Sequence, residues 1–189
     1  GEINVNGQVV SRWSIGKAVA AGLAFVPAER KVEGMIGGYS GIRNIAMVHH
    51  QGLMSGPFLS PGKMAKVAQD WFDRLDVSPN NILQPLDQFS GGNQQKVVLS
   101  KWLNSPDLRV LILDHPLRGL DVGVSQTVNA EIHAACSHGT AVVLIPDTIE
   151  EALEMADEIL VLRDGKITAR HELGAANELA IKEIVAEMI

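Results

Sequence analysis

At 189 residues, 46% hydrophobic and 20% charged, the chain has the size and composition of one globular domain, which excludes a disordered or fibrous protein. Its formal net charge of −6 argues against a broad nucleic-acid-binding face. A single cysteine, Cys136, rules out an internal disulfide and suits a reducing compartment.

On a predicted helix, Cys136 reads as a small apolar residue rather than a nucleophile. No apolar run approaches the ~20 residues of a membrane-spanning helix. The opening Gly1-Glu2-Ile3 has neither Met nor a basic start. It therefore lacks the marks of a signal peptide and points to a fragment.

In chain order, Glu2 to Val5 and Gln8 to Val10 flank Asn6-Gly7, a strong hairpin turn. Ser14 caps a predicted short helix through Ala21, with Gly22 at its carboxyl end. Leu23 to Val26 is a short buried strand stopped by Pro27. Residues 28–62 are rich in glycine and predicted as loop, with at most a short helix over Ile42 to Val48. Ser60-Pro61 then opens an amphipathic helix. Its Met64, Val67, Ala68, Trp71, Phe72 and Leu75 recur at helical spacing, a core stripe rather than a ligand box.

A loop from Asp76 to Asp87 leads to Phe89-Ser90-Gly91-Gly92-Asn93-Gln94-Gln95-Lys96, a Gly-rich turn running into a helix. Leu111 to Leu113 is a continuous apolar run of the kind that a parallel strand buries on both faces. Val122 to Cys136 is predicted helical and Ala141 to Ile145 a second buried strand. Thr148 caps a helix whose first turn holds Glu150 and Glu151, which suits the helix dipole. Ile159 to Arg163, the Asp164-Gly165 turn and Lys166 to Arg170 form a second hairpin. An amphipathic helix over Glu178 to Ile189 closes the chain. Strands alternating with helices from Arg109 onward predict an α/β fold with a parallel sheet core.

Two stretches carry chemistry. In Ser90-Gly91-Gly92, the glycines let backbone approach a ligand without an intervening Cβ. The helix that follows aims its free N–H groups and positive dipole end at that point, where a phosphate fits. Asp114 ends an apolar strand, where α/β folds bind ligands, and can hold Mg²⁺ through water for a nucleotide phosphate. Taken alone, each has a plain alternative: a helix-start turn and a turn-capping acid. The histidines lack metal-site spacing and read as solvated or packed.

Together, Phe89 to Val97, Asp114 and Gly119-Leu120-Asp121 resemble the signature motif, Walker B strand and D-loop of ABC-transporter ATPases. Gly1 to Val10, Phe25-Val26-Pro27-Ala28-Glu29-Arg30-Lys31 and Leu160 to Gly165 match in order. The likeness is to ATP-binding proteins of bacterial sugar importers, in the group with two tandem nucleotide-binding halves, and to the second half. It implies a P-loop NTPase-like ABC ATPase domain over residues 1–189, partial, with an antiparallel hairpin at the start and a helical subdomain over about 40–105. It implies ATP and Mg²⁺ as cofactors. The implied partners are a second nucleotide-binding half, transmembrane permease subunits and, indirectly, a periplasmic solute-binding protein, with no nucleic acid. The implied location is peripheral, on the cytoplasmic face of the inner membrane.

By that resemblance Ser90, Gly91, Gly92 and Gln94 contact ATP held mainly by the partner half, and Asp121 is the D-loop acid at the same interface. The chain also departs from the family. No Gly-x₄-Gly-Lys-Ser/Thr loop occurs. The nearest stretch, Gly56 to Met64, has five intervening residues and ends in Met64, which offers no hydroxyl. His115 stands where the family has a catalytic Glu. An imidazole can accept a proton near neutral pH but offers one acceptor nitrogen, so hydrolysis at this chain's own site is expected to be weak or lost.

Ala28 stands at the Q-loop position and Asp147 at the H-loop position, where a carboxylate would repel phosphate. Two functions compete. In one, the chain is the ATP-binding component of an importer coupling ATP hydrolysis to uptake of a sugar or related solute. In the other, it is a catalytically degenerate, non-hydrolysing regulatory or structural half. The acidic balance sets aside a third reading, an ABC-type protein acting on nucleic acid or ribosomes.

Overall fold

The structure is a computed structural model and describes residues 3–5, 7–9 and 14–173. It divides into two compact units, residues 1–143 and residues 144–189.

The first unit opens with the predicted hairpin, β1 (Asn4–Val5) paired antiparallel with β2 (Gln8–Val9). Gly7 sits at φ +76 in the turn, a conformation that costs a Cβ-bearing residue energy. Helix α1 (Ile15–Ala20) starts where Ser14 accepts a hydrogen bond from the Lys17 N–H. It ends at Gly22, φ +82, where a Cβ would come within 2.3 Å of the Asp107 carbonyl oxygen. Only glycine lets the chain turn there into β3 (Leu23–Val26).

A single π-helical turn over Arg30–Gly34 follows, then α2 (Gly41–Ala46). The small hairpin β4 (Met54–Ser55) and β5 (Phe58–Leu59) turns at Gly56, φ +60. Neither the π turn nor this hairpin is legible in the sequence, because each is too short to show a period. Ser60 caps α3 (Pro61–Arg74) by accepting from the Lys63 N–H, with Pro61 in the first turn as predicted.

Helix α4 (Gly91–Leu103) begins directly at the glycine pair. Strand β6 (Val110–Asp114) pairs parallel with β3 in the register Val26↔Leu113. Helix α5 (Val122–Ser137) follows, with Cys136 exposed on its surface. Strand β7 (Ala141–Ile145) completes a sheet of order β3-β6-β7, the Ala141 N–H donating to the Arg109 carbonyl.

The core lies between this sheet and α2, α3 and α4. Val26, Phe72, Leu75, Leu86, Leu99, Leu111 and Leu113 are fully buried. Such burial stabilises by ~1.5–3 kcal/mol per large side chain. Phe72 meets Phe89 edge-on with ring centroids 5.9 Å apart. Gly41 makes room for it: a Cβ there would lie 2.5 Å from the Phe72 Cζ.

Two expectations of burial fail. In β3, Phe25 is 44% exposed. Strand β7 is not buried on both faces; Val143 is 52% and Ile145 46% exposed. It stands last in the sheet order, and among the described residues no strand pairs with its far side.

In the second unit, Thr148 caps α6 (Ile149–Met155) through the Glu151 N–H, and β8 (Glu158–Arg163) pairs antiparallel with β9 (Lys166–Glu172). The predicted helix over Glu178 to Ile189 lies outside the described residues.

Candidate functional site

The turn at Ser90 is held by side-chain hydrogen bonds on both sides. Phe89, buried against Phe72, anchors the chain just before it. Ser90 then adopts extended backbone, φ −60 and ψ 158, and caps α4. Its Oγ accepts a 2.9 Å hydrogen bond from the Asn93 side-chain amide and a longer one, 3.4 Å, from the Asn93 N–H. Asn93 is itself fixed, its Oδ1 accepting from the Ser78 N–H at 3.0 Å. A serine hydroxyl has two acceptor lone pairs and one proton. With both lone pairs engaged, the proton is left to donate outward, beside the free N–H groups of the first helical turn.

Neighbouring side chains close in on both glycines. A Cβ at Gly92 would lie 3.1 Å from Val124 on α5, and one at Gly91 would lie 2.5 Å from the Arg30 guanidinium. Gln94 turns inward instead: it is 2% exposed and donates Nε2 to the Phe89 carbonyl at 2.9 Å. Lys96 is also buried, its Nζ held by the Asp76 carbonyl at 2.8 Å. The outward-facing donors are therefore the Ser90 hydroxyl and the amides of the turn.

The end of β6 is arranged differently. Asp114 and His115 lie side by side, Oδ1 to Nε2 at 3.6 Å, each side chain about a third exposed (30% and 33%). His115 has φ +49, a left-handed backbone that glycine adopts freely and histidine at a cost. Among the described residues no three His, Cys, Asp or Glu side chains group as a metal site. A lone carboxylate such as Asp114 fits Mg²⁺ completed by nucleotide oxygens and water, the usual way this ion is held, and does not fit a cage made of protein ligands alone.

Ala28 follows β3 beside this strand end, and its methyl group neither donates nor accepts a hydrogen bond. The next residue, Glu29, lies 3.7 Å from Arg118 across the loop after β6, an exposed pair of little energetic weight. Asp121 caps α5, its Oδ1 accepting from the Val124 N–H at 3.0 Å. Because Val124 also packs on Gly92, Asp121 is brought next to the Ser90 turn. Asp147 belongs to the second unit, where its N–H donates to Glu151 Oε2 at 2.9 Å.

Gly56 to Met64 forms no phosphate cradle. Its lysine, Lys63, reaches the Met54 carbonyl at 2.6 Å, and Ser60 and Pro61 start α3.

Sequence reasoning missed three residues around this site. Arg30, in the π turn, folds onto Gly91. Asn44 is 2% exposed and fully bonded, accepting from the Ile36 N–H and donating to the carbonyls of Ile36, Tyr39 and Ser40, which pins the glycine-rich loop. Lys101 is buried on α4 and donates to the Gly34 carbonyl at 2.5 Å; burial lowers its pKa to about 8. No local spacing announces contacts between residues so far apart in the chain.

Two surface cavities lie elsewhere. One of about 260 Å³ is lined by Trp71, Arg74, Arg109, Glu131 and His138. An apolar one of about 310 Å³ is lined by Ile15, Phe25, Trp102 and Ile112, with Glu33 and Lys101. Neither includes Ser90, Gly91, Gly92 or Asp114. Ser90 itself is exposed, with Gly91, Gly92 and Asn93 half-buried behind it.

Comparison with known proteins bears on this geometry. No family model matches the chain. The ribose import ATP-binding protein RbsA of Rhodococcus jostii (strain RHA1) is 38% identical over 178 residues, 94% of this chain and 35% of the relative. The arabinose import ATP-binding protein AraG of Burkholderia pseudomallei (strain 1710b) is 35% identical over 182 residues, 96% of this chain and 36% of the relative. The chain thus spans about a third of the length of these curated relatives. Among solved structures, a dimeric post-hydrolysis state of the ATP-binding cassette MJ0796 bound to ADP and Pi superposes with a TM-score of 0.75. The match has 18% identity and covers 93% of this chain and 75% of that one. A second dimeric MJ0796 structure, described as a bacterial ABC transporter cassette, gives a TM-score of 0.76 at 18% identity, with the same coverage. These likenesses show the fold of an ATP-binding cassette.

Proposed function

We propose that this chain, with its ATP-binding-cassette fold and its sugar-import relatives, is part of the ATP-binding component of an ABC importer for a sugar or related solute. Its Ser90 turn would complete the nucleotide site of a partner nucleotide-binding half. The observation that carries this reading is the exposed Ser90 hydroxyl at the amino end of α4, whose oxygen accepts twice from Asn93 and so keeps its proton for donation to a ligand. Permease subunits would be further partners, with the chain peripheral on the cytoplasmic membrane face. No helix among the described residues is long and apolar enough to cross a membrane.

Bound MgATP supplies the phosphoanhydride bond whose cleavage drives transport in such a system. The residues here bind and orient. Ser90 donates a hydrogen bond, Gly91 and Gly92 allow close backbone approach, and the helix dipole favours the anion. Asp121, through Val124, keeps α5 against the same turn. Asp114 is the residue that would hold Mg²⁺.

A second reading, that this half does not hydrolyse at its own site, is favoured by His115. Its ring turns back on Asp114 instead of offering the carboxylate that would polarise water, and Ala28 adds no polar group beside it.

The test separates the two ends of the site in the complete protein with its membrane partner. Aspartate caps helices as well as serine does but places a negative charge where phosphate must sit. Ser90→Asp should therefore lower ATPase activity by about 100-fold or more with the melting temperature held, while His115→Ala changes activity less than about twofold. Full activity in Ser90→Asp would sink the proposal. A large loss in His115→Ala would show that this half runs its own chemistry.

A further inference from the structure

The Arg30 guanidinium lies directly on the Ser90–Gly92 turn. Its Nη2 occupies space that even a methyl group on Gly91 would claim, 2.5 Å from the position of such a Cβ. The side chain is only partly exposed, and its Nε is shut off from solvent without an acceptor. Among the described residues no carboxylate lies within ion-pair distance of it and no carbonyl accepts from it. Its acidic neighbour Glu29 faces Arg118 instead. The buried Nε–H lacks an acceptor, and the terminal nitrogens of this permanently charged fork bond to no group among the described residues, which leaves them for a ligand's acceptors.

We propose that Arg30 is a further phosphate-binding residue of this chain, its guanidinium placed to meet the same phosphoryl oxygens as the Ser90 hydroxyl and the turn amides. This rests on the reading of the Ser90 turn given above. The ligand class is a nucleoside triphosphate held by the partner half. Planar, two-pronged donation to phosphate oxygens is the chemistry that suits arginine better than lysine. The absence of a side chain at Gly91 then has a second purpose besides backbone approach: it seats the guanidinium. The π turn of Arg30–Gly34 supplies the local geometry that folds the side chain back, an irregularity of the kind that recurs at functional sites.

The experiment uses the complete protein with its membrane partner and follows ATPase kinetics against MgATP, together with melting temperature without nucleotide. Arg30→Met should lower kcat/KM by about 10- to 100-fold while the nucleotide-free melting temperature stays level or rises, since an unpaired cation is removed. Arg30→Lys should recover only part of the loss, because it restores charge without the fork. If Arg30→Met keeps kcat/KM within twofold while Ser90→Asp abolishes it, the Arg30 assignment falls and the reading of the turn stands. If neither substitution matters, both fall. If Arg30→Met loses activity together with a clear drop in melting temperature, Arg30 is a packing residue and the assignment is overturned.

Discussion

The Ser90 turn and the Asp114–His115 strand end lie in the same unit and carry the two best-known marks of one chemistry, yet they are built to different standards. At the turn, backbone and side chains are cross-braced. Phe89 is locked edge-on against Phe72, Asn93 bridges Ser78 to Ser90, and both glycines have side chains packed close over them. At the strand end, His115 holds a left-handed backbone and leans on Asp114 at 3.6 Å. A site maintained for work keeps its supporting contacts, because positioning within a fraction of an ångström is what such contacts supply. Under the function proposed above, the contrast fits a surface presented to a partner beside a strand end where His115 takes the place of a catalytic acid.

Four measurements break or sharpen that contrast. The largest effect is expected at the brace itself. Phe72→Ala removes a fully buried ring and the partner of Phe89, and should destabilise the chain by ~3–5 kcal/mol in denaturant unfolding. A loss below about 1 kcal/mol would mean that the aromatic pair does not anchor the turn.

Next comes Lys101, which ties the carboxyl end of α4 to the π turn. Burial lowers its pKa from 10.5 to about 8, so between those values the unfolded chain keeps a proton that the folded chain has lost. Stability therefore rises with pH across that window. Relative to Lys101→Met, the wild type should gain about 3 kcal/mol between pH 8 and pH 10.5. A difference that stays flat would place the ammonium in solvent.

Asn44→Ala is the third. It leaves the Ile36 N–H without its acceptor and takes one of two donors from the carbonyls of Ile36, Tyr39 and Ser40, which keep their backbone donors, and should cost ~1–3 kcal/mol. Increased amide exchange should be confined to residues 35–40. Exchange spreading through α4 would show that the loop and the turn are one cooperative body.

The smallest effect belongs to the strand end. Glycine adopts the His115 backbone without steric penalty, so His115→Gly should be neutral or stabilise by up to ~1 kcal/mol. A destabilisation beyond ~1 kcal/mol would mean that the imidazole is a structural support, and the contrast between the two ends would weaken.

The sequence by itself determined the elements whose signals are local. Ser14, Ser60, Ser90 and Thr148 each cap the helix predicted for them, because a cap is written within four residues. The strands β3 and β6 were legible from their apolar runs, though not their pairing with each other, and the Ser90 and Asp114 motifs from their residue types. Only the tertiary structure decided where long side chains end. In the string Asn93-Gln94-Gln95-Lys96, the Gln94 amide reaches the Phe89 carbonyl and the Lys96 ammonium the Asp76 carbonyl, directions that residue type alone does not give. Arg30 looks like a solvated residue of a loop, yet it folds onto Gly91 from far away in the chain. Strand β7 reads as doubly buried, and its exposure follows from its place at the end of the sheet order. Caps, turns and periods are set by neighbours in sequence. The direction of a lysine, an arginine or an edge strand is set by whatever the fold brings alongside, and no local pattern contains that.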